Sequence, residues 1–311
     1  WIGWIFWLGS RTGWGELEEA EFAQISTVGE LKSWLTEMKG ETVSESSSPS
    51  QSSVSTRPEA RAQRKLQGDE SLPKLPRWSR WLPLRWLRWV VQEGFALPVF
   101  RHYIPVSVSG LQNLSSTQPP LIFAANHASH LDTVALLAGL PYFWRRRLAP
   151  AMALEAFRPF FRPSGYTVRQ RASAAAQYVL ACACFNAYPL PQETAGVRQV
   201  LRYTGDLLDS GFCPLVYPEG HRSPDGKLQE FKGGIGFMAL HLRVQIVPVY
   251  LGGTFDVYSV HHRRPRRGSV RVSFGSPIRF SPGLGYDGVA REVGAAIQGL
   301  KQQLVARDAG K

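Results

Sequence analysis

Two residues near the middle of the chain have the types and the spacing that acid–base chemistry requires. His127 is followed by Asp132 after four intervening residues. A carboxylate that accepts a hydrogen bond from one imidazole nitrogen fixes the tautomer of the ring and leaves the other nitrogen free as a base. The same carboxylate stabilises the imidazolium that forms when the base takes a proton. The pair therefore predicts a general base, and a chance pairing of common residues is the alternative.

The residues around this pair predict a strand, a loop and a helix. The apolar run from Leu121 to Ala125 predicts a short buried strand, and the run from Thr133 to Gly139 predicts the start of a helix. His127 is then expected where the strand ends, and Asp132 near the first turn of the helix. A loop that folds back between them can bring the two side chains together.

A second polar loop follows another predicted strand. A buried strand over residues 212–217 runs into Pro218-Glu219-Gly220-His221-Arg222-Ser223, and a Pro-Asp-Gly turn follows at residues 224–226. Strand ends of this kind are where α/β proteins place their sites. The alternative is that Glu219 and Arg222 simply pair with each other at a turn.

Several other kinds of site are not supported by the sequence. No set of cysteine and histidine residues has zinc spacing, and the three cysteines do not form a disulfide framework. Ser129 does not lie in a G-x-S-x-G elbow, so it is a poor candidate for a hydrolase nucleophile. Residues 220–227 resemble a phosphate-binding Walker loop, but one residue too many precedes the final Gly-Lys. No metal site is predicted.

The remaining pattern predicts an α/β domain, because apolar strands alternate with helical stretches. An alanine-rich helical stretch is expected from Met152 onward, and the run Arg145–Arg147 is expected to be a solvated turn or a phospholipid contact. Further strands are predicted at 246–251 and 270–274. Further helices are predicted at 196–208, from the end of the glycine-rich stretch 233–236 to residue 242, and at 286–306.

Three segments are predicted along the chain. Residues 1–39 resemble the end of an acyl-carrier-protein domain, where an acidic segment leads into a Thr-Val-Gly-x-Leu helix, but they lack the Asp-Ser-Leu that carries phosphopantetheine. We expect a helical remnant without carrier function, with an ordinary amphipathic helix as the alternative. Residues 40–75 are rich in Ser, Pro, Gln and charge, which predicts a disordered linker. Residues 76–311 are expected to form the functional domain.

Residues 76–100 interleave tryptophan with arginine. A helix beginning near Pro83 would place two sets of side chains on neighbouring faces, namely Trp86, Trp89 and Val90, and Arg85, Arg88 and Gln92. Tryptophan beside arginine on an amphipathic helix is typical of a segment that lies in a membrane interface. The net charge of +12 also favours anionic partners. The alternatives are packing of the tryptophan face on the protein's own core and, third, nucleic-acid binding, which no motif supports.

Four blocks of the sequence together resemble the glycerolipid acyltransferase family, which includes the lysophosphatidic acid acyltransferases. The blocks are Asn126-His127 to Asp132, Tyr188-Pro189-Leu190 to Glu193, Tyr217 to Ser223, and Val247-Pro248-Val249. The first matches the family's Asn-His-x-x-x-x-Asp and the third its Phe-Pro-Glu-Gly-Thr-Arg-Ser. The resemblance covers roughly residues 76–280. It implies an α/β fold in which helices flank a mixed sheet, with amphipathic N-terminal helices.

The resemblance also implies a role for each matching residue. His127 is the general base that takes the proton of an acceptor hydroxyl, which attacks an acyl thioester directly, and Asp132 orients His127. No metal or bound cofactor is needed. Residues implied in substrate binding are Glu219, Gly220, Arg222, Ser223, Lys232 and Gln192.

The chain departs from the family pattern at three positions. Tyr217 replaces a phenylalanine and His221 a threonine. Gln192 stands where related bacterial sequences carry an arginine for the acceptor phosphate, and a neutral amide cannot replace a guanidinium there without loss. The reaction type is therefore better defined than the acceptor.

We expect an O-acyltransferase of phospholipid synthesis, peripheral on the cytoplasmic face of a membrane. It would move a fatty acyl group from acyl-CoA or acyl-carrier protein to a lysolipid such as 1-acylglycerol-3-phosphate. The alternative is a non-catalytic lipid-binding module with the same fold.

Overall fold

The computed structural model describes residues 75–191, 197–259, 261–262, 264–281 and 283–309. The predictions for residues 1–39 and for the linker up to residue 74 fall outside the described residues, as does Gln192.

Runs of three to eight residues form a seven-stranded sheet. The strands are β1 (Val106–Ser109), β2 (Leu121–Ala125), β3 (Leu148–Ala153), β4 (Tyr188–Leu190), β5 (Cys213–Val216), β6 (Gln245–Gly252) and β7 (Val270–Phe274). Their order is β1-β7-β6-β2-β5-β3-β4. Only β6 and β7 pair in antiparallel fashion, and all other neighbours are parallel. The expected mixed sheet is confirmed.

Helices connect the strands in chain order. The α-helices are α1 (Leu82–Val91), α2 (Leu97–Tyr103), α3 (Gln112–Ser115), α4 (Asp132–Gly139), α5 (Tyr142–Arg145), α6 (Arg158–Phe161), α7 (Val168–Phe185), α8 (Val197–Asp209), α9 (Gly234–Leu242), α10 (Thr254–Tyr258) and α11 (Tyr286–Ala309). Short 3-10 helices lie at Arg77–Arg80 and Leu154–Phe157, and a π-helical turn at Gln92–Ala96 joins α1 to α2. No helix among the described residues is long and apolar enough to span a bilayer.

Helices cover both faces of the sheet, which explains why its central strands are apolar throughout rather than alternating. Leu121, Phe123 and Ala125 of β2 face one core, which α2, α4, α5 and α10 complete. Ile122 and Ala124 face the other, together with apolar side chains of α9 and α11. Every residue of β2 is buried as a result.

The parallel pairing of β2 with its two neighbours positions the polar loops. Phe123 of β2 lies opposite Leu215 of β5 and Val247 of β6, so the carboxyl ends of these strands meet at one edge of the sheet. The loops that begin at residues 126 and 217 both leave this edge. His127 and Glu219, which are 92 residues apart in sequence, are therefore neighbours in space.

The prediction of an alanine-rich helix from Met152 onward is wrong in where the helix begins. Met152 lies in β3, opposite Pro189 of β4, and the long helix of this region begins only at Val168. Thr167 starts that helix, because its side chain accepts from the backbone N–H of Gln170 while the Gln170 side chain accepts from the backbone N–H of Thr167. A short apolar run does not distinguish a strand from a helix, and pairing with β4 and β5 decides this one.

The prediction for the run at 145–147 also needs correction at its first residue. Arg145 is 8% exposed and forms an ion pair with Glu93, with Nε 3.1 Å from Oε1. Arg147 lies over the ring of Phe143, with its guanidinium carbon 3.8 Å from the ring centre. Arg145 is therefore part of the interior that ties α5 to the segment after α1.

Helix α1 presents its tryptophan face outward. Trp86, Trp89 and Val90 are 67%, 45% and 38% exposed, whereas Arg88 and Gln92 are 9% and 8% exposed. The alternative in which the tryptophan face packs on the protein's own core is therefore excluded for these side chains.

Arg88 and Gln92 are buried because they cap the carboxyl end of α7. Arg88 donates to the carbonyls of Ser79, Cys182 and Ala183 at 2.7, 3.0 and 2.7 Å, and Gln92 donates to that of Cys184 at 2.6 Å. The last carbonyls of a helix have no partners within it and carry partial negative charge, so a cation there is favourable. Burial lowers the pKa of Arg88 to about 10, which leaves it charged at neutral pH.

The Arg88→Ala substitution is expected to lower the free energy of unfolding by about 2 to 3 kcal/mol, because three buried carbonyls lose a donor. Denaturant unfolding of the two proteins measures the difference. Arg85→Ala, which removes an exposed arginine of the same helix, is the matched control and should change stability by no more than about 0.5 kcal/mol. Equal effects of the two substitutions would contradict this account of α1.

Candidate active site

His127 and Asp132 meet between β2 and α4. Nδ1 of His127 lies 2.8 Å from Oδ2 of Asp132, and their side chains are 21% and 0% exposed. When Nδ1–H donates to the carboxylate, Nε2 of the imidazole carries the lone pair and can accept a proton. We call residues 126–131 the histidine loop. The structure brings the two side chains together, as their spacing predicted.

Asp132 also folds the histidine loop. Its Oδ2 accepts from the backbone N–H groups of Ala128 and Ser129 at 2.7 and 2.8 Å. The hydroxyl of Ser129 donates to the carbonyl of Tyr258 and accepts from the N–H of Leu131. Ser129 is fully buried, so its role is to shape the loop, consistent with the absence of a nucleophile motif.

Tyr217 holds the other side of the His127 ring. The two rings stack with centres 4.1 Å apart and an interplanar angle of 18°. The Tyr217 hydroxyl lies 2.8 Å from Oγ1 of Thr133, next to Asp132 in the first turn of α4. The sequence shows a tyrosine at this position in place of the family's phenylalanine. It did not predict that Thr133 is the hydrogen-bond partner of the Tyr217 hydroxyl.

The second loop, residues 217–226, is called the arginine loop. It binds the backbone of His127 on both sides: the N–H of Ser223 donates to the His127 carbonyl at 2.8 Å, and the His127 N–H donates to Oε1 of Glu219 at 3.2 Å. Glu219 is 1% exposed. Both residues were expected in substrate binding. The structure places the side chain of Glu219 and the backbone of Ser223 against the histidine loop, whereas the Ser223 hydroxyl donates to Oδ1 of Asp225 at 3.0 Å.

Burial raises the pKa of Glu219 to about 8 from its ordinary value of 4.5, and the charge of Asp132 adds to the rise. Hydrogen bonds from the backbone N–H groups of His127 and Gln229 act in the opposite direction. Glu219 therefore keeps its proton over much of the neutral range.

Gly220 allows Lys232 to cross the arginine loop. The backbone of Gly220 has φ +84°, and a Cβ there would lie 2.8 Å from Nζ of Lys232. Only glycine satisfies both conditions without strain. The backbone N–H of Lys232 donates to the carbonyl of Pro218 at 2.9 Å. The exposed lysine is thus fixed beside the loop, and its ammonium is available to an anion.

Arg222 contacts a second histidine of the histidine loop. One of its guanidinium nitrogens lies 3.1 Å from Nδ1 of His130. Burial, aided by the positive charge of Arg222, lowers the pKa of His130 to about 3, so the neutral ring accepts from the guanidinium. Glu219 and Arg222 thus have different neighbours, rather than the simple pairing considered from the sequence. Sequence reasoning missed His130; its place in the same loop as His127 was the available signal.

The assembled site has one buried carboxylate, one partly exposed base and cationic groups at its rim. His221 is exposed on the arginine loop. Across the described ranges, no three or more His, Cys, Asp or Glu side chains are grouped so as to hold a metal ion. The arrangement can remove a proton from a hydroxyl near Nε2 of His127 while an anionic group contacts Arg222 or Lys232.

The raised pKa of Glu219 makes stability depend on pH. Between about pH 4.5 and pH 8 the unfolded chain has lost this proton while the folded protein retains it, so folding takes up a proton and stability falls as pH rises. Glu219→Gln removes this contribution. The wild-type unfolding free energy minus that of the variant should therefore decrease over this range, by up to about 5 kcal/mol.

Denaturant unfolding at a series of pH values from 5 to about 8.5 measures this difference. Glu230→Gln, which changes an exposed carboxylate close by in the chain, is the control. A Glu219→Gln difference that stays flat with pH would show that Glu219 is ionised in the folded protein at neutral pH.

Comparison with known proteins relates this site to a family. A family model described as Acyltransferase matches residues 105–252, a segment that includes both loops. A chloroplastic 1-acyl-sn-glycerol-3-phosphate acyltransferase of Arabidopsis thaliana is 27% identical over 181 residues, which cover 58% of this chain and 45% of that protein. The alpha 1-acyl-sn-glycerol-3-phosphate acyltransferase of Mus musculus is 28% identical over 172 residues, 54% of each chain.

The crystal structure of the 1-acyl-sn-glycerophosphate acyltransferase PlsC from Thermotoga maritima aligns with a TM-score of 0.48 and 21% identity, over 70% of this chain and 80% of that one. The chain spans about half the length of the two curated relatives described above. The family model matches the segment that carries the His127–Asp132 pair and the arginine loop, which agrees with the resemblance of the chain to the glycerolipid acyltransferase family.

Proposed function

We propose that this protein is an O-acyltransferase that moves a fatty acyl group from a thioester donor to the free hydroxyl of 1-acylglycerol-3-phosphate or a similar lysolipid. The observation that carries the proposal is the pair of His127 and Asp132, 2.8 Å apart, with the carboxylate buried and the ring partly exposed. The printed activity of the relatives supports both the reaction type and this acceptor.

The chemistry needs only one residue that moves a proton. Nε2 of His127 takes the proton of the acceptor hydroxyl as the oxygen attacks the thioester carbonyl. The new C–O bond forms, the C–S bond breaks, and the proton passes from the imidazolium to the leaving sulfur. Asp132 stabilises the imidazolium between these steps, and the stacked ring of Tyr217 keeps the imidazole in plane.

The acceptor phosphate is proposed to bind Arg222. A guanidinium matches a phosphate with two parallel hydrogen bonds, and contact with neutral His130 orients it. Lys232, crossing at Gly220, supplies a second cation. Glu219 and Ser223 are proposed to act through the backbone of His127, as positioning residues. Gln192, also expected at the acceptor, lies outside the described residues.

The protein is proposed to bind its lysolipid acceptor at the surface of a membrane. The outward tryptophan face of α1 supports this, because large apolar side chains exposed side by side on a helix fit the interface of a bilayer. Peripheral attachment at the cytoplasmic face is part of the proposal. The donor is a fatty acyl thioester of CoA or of a carrier protein.

Acyl transfer to a panel of lysolipids, with and without a phosphate, tests the function. Wild type should acylate 1-acylglycerol-3-phosphate, and His127→Ala should lower kcat/KM at least about 100-fold, the range of general-base catalysis. His102→Ala, which removes an exposed histidine at the end of α2, is the control and should stay near wild type.

Full activity of His127→Ala would reject the mechanism. Lysolipid binding without transfer by folded wild type, tested with both CoA and carrier-protein donors, would instead favour the non-catalytic module. Transfer only to acceptors that lack the phosphate would keep the chemistry and reject Arg222 as a phosphate ligand.

The membrane proposal has a separate test. The double substitution Trp86→Ala/Trp89→Ala should reduce co-sedimentation with anionic phospholipid vesicles at least about tenfold, because two interfacial aromatic rings are lost. The melting temperature should change little, since both rings are exposed. Val305→Ala removes an exposed apolar side chain of α11 and serves as the control. Unchanged vesicle binding of the double variant would reject α1 as the contact.

A further inference from the structure

A basic loop follows α10 and precedes β7. Its described cationic and imidazole side chains are His261, His262, Arg264, Arg266 and Arg267, which we call the basic loop. No aspartate or glutamate occurs from residue 257 to residue 270. The three arginines are exposed, and none of them forms an ion pair with a described residue. Because a guanidinium stays charged at physiological pH, the loop presents uncompensated positive charge.

Hydrogen bonds fix the shape of this loop. The N–H of Arg266 donates to the carbonyl of Val257 at 2.7 Å, which closes the loop at its base. Nδ1 of His262 lies 3.1 Å from Oγ of Ser259, and the N–H of His261 donates to the same hydroxyl at 3.3 Å. The closed loop forms an open pocket of about 360 Å³, lined by His261, His262, Arg264, Pro265 and Arg266.

The basic loop is joined directly to the active site. Nε2 of His261 lies 2.8 Å from the carbonyl of Pro224 in the arginine loop. The preceding residue, Ser223, donates its N–H to the carbonyl of His127. Tyr258, just before the basic loop, accepts from the buried hydroxyl of Ser129 and lies with its ring 5.6 Å from that of His130. A ligand in this pocket would therefore be separated from the base by a single loop.

The positive charge here exceeds what the acceptor needs. One phosphomonoester is matched by Arg222 with Lys232 in the proposed function. The basic loop adds three more arginines at the same edge of the sheet. Arginine in such numbers is suited to several phosphate groups held together.

We propose that the basic loop binds the phosphate groups of the nucleotide portion of an acyl-CoA donor. Coenzyme A carries a 3′-phosphate and a pyrophosphate far from its sulfur, so these groups can be held at the basic loop while the thioester reaches His127. The proposal rests on the proposed function and makes it specific, because it selects CoA over a carrier protein as the donor. An acidic carrier protein and an anionic lipid surface are the competing occupants.

The test compares two donors on the full chain. The donors are a long-chain acyl-CoA and the same acyl group on pantetheine, which has no phosphate. Arg264→Gln/Arg266→Gln should raise KM for acyl-CoA about 10- to 100-fold with kcat nearly unchanged, as expected for the loss of charge-assisted hydrogen bonds. With acyl-pantetheine, variant and wild type should have the same KM and kcat.

The matched control is Arg291→Gln/Arg307→Gln, which removes the same charge from exposed positions of α11 and should leave KM for acyl-CoA unchanged. An equal rise in KM for both donors would overturn the proposal, because a phosphate site cannot affect pantetheine. No rise for either donor would overturn it as well. A rise in KM that disappears when the assay is run in neutral detergent micelles would overturn the proposal and assign the basic loop to lipid binding. The same assay with an acyl-carrier-protein donor tests the other occupant: a KM effect confined to that donor would overturn the proposal and assign the loop to the carrier.

Binding without turnover separates this inference from the proposed function. Calorimetry with 3′-phosphoadenosine 5′-diphosphate should show binding to wild type that the Arg264→Gln/Arg266→Gln variant loses. If wild type binds this nucleotide but transfers no acyl group, the proposed function fails and the basic loop is still a nucleotide phosphate site. If wild type does not bind it at millimolar concentration, the inference fails whatever the enzyme activity is.

Discussion

The structure of the site depends on one buried carboxylate. Oδ2 of Asp132 accepts three hydrogen bonds, from the ring of His127 and from the backbone N–H groups of Ala128 and Ser129. A charge removed from water is tolerated only when hydrogen bonds of this kind satisfy it, and its place in the first turn of α4 adds the favourable end of a helix dipole. The same contacts fold the histidine loop and fix the tautomer of His127.

The second constraint is the order of the strands. Because β2 and β5 are parallel neighbours, the arginine loop meets the histidine loop at their carboxyl ends, and it binds both the N–H and the carbonyl of His127. His127 is thus held by its ring through Asp132 and Tyr217, and by its backbone through Glu219 and Ser223. Little freedom remains for His127, which suits a reaction whose main demands are positioning and one proton transfer.

The sequence predicted β2, α4 and the meeting of His127 with Asp132, because these depend on apolar runs and on a spacing of a few residues. It did not predict contacts that depend on strand order, such as Thr133 with Tyr217, 84 residues apart, or His130 with Arg222, 92 residues apart. The predicted start of the helix at Met152 was wrong because a short apolar run fits a strand equally well. The sequence pattern did not show which face of α1 is buried. In the structure Arg88 and Gln92 are buried, because the carbonyls at the end of α7 need their hydrogen-bond donors.

The central claim is that the charge of Asp132 supports His127 as the base, and kcat of the Asp132→Asn variant tests it most directly. An amide oxygen at the Oδ2 position can keep the three hydrogen bonds, so the loop should stay folded while the negative charge is lost. The account predicts a fall in kcat of at least about 100-fold, with KM for the acceptor within a few-fold of wild type. A kcat close to wild type would contradict it, because the imidazolium would then form without a carboxylate to stabilise it.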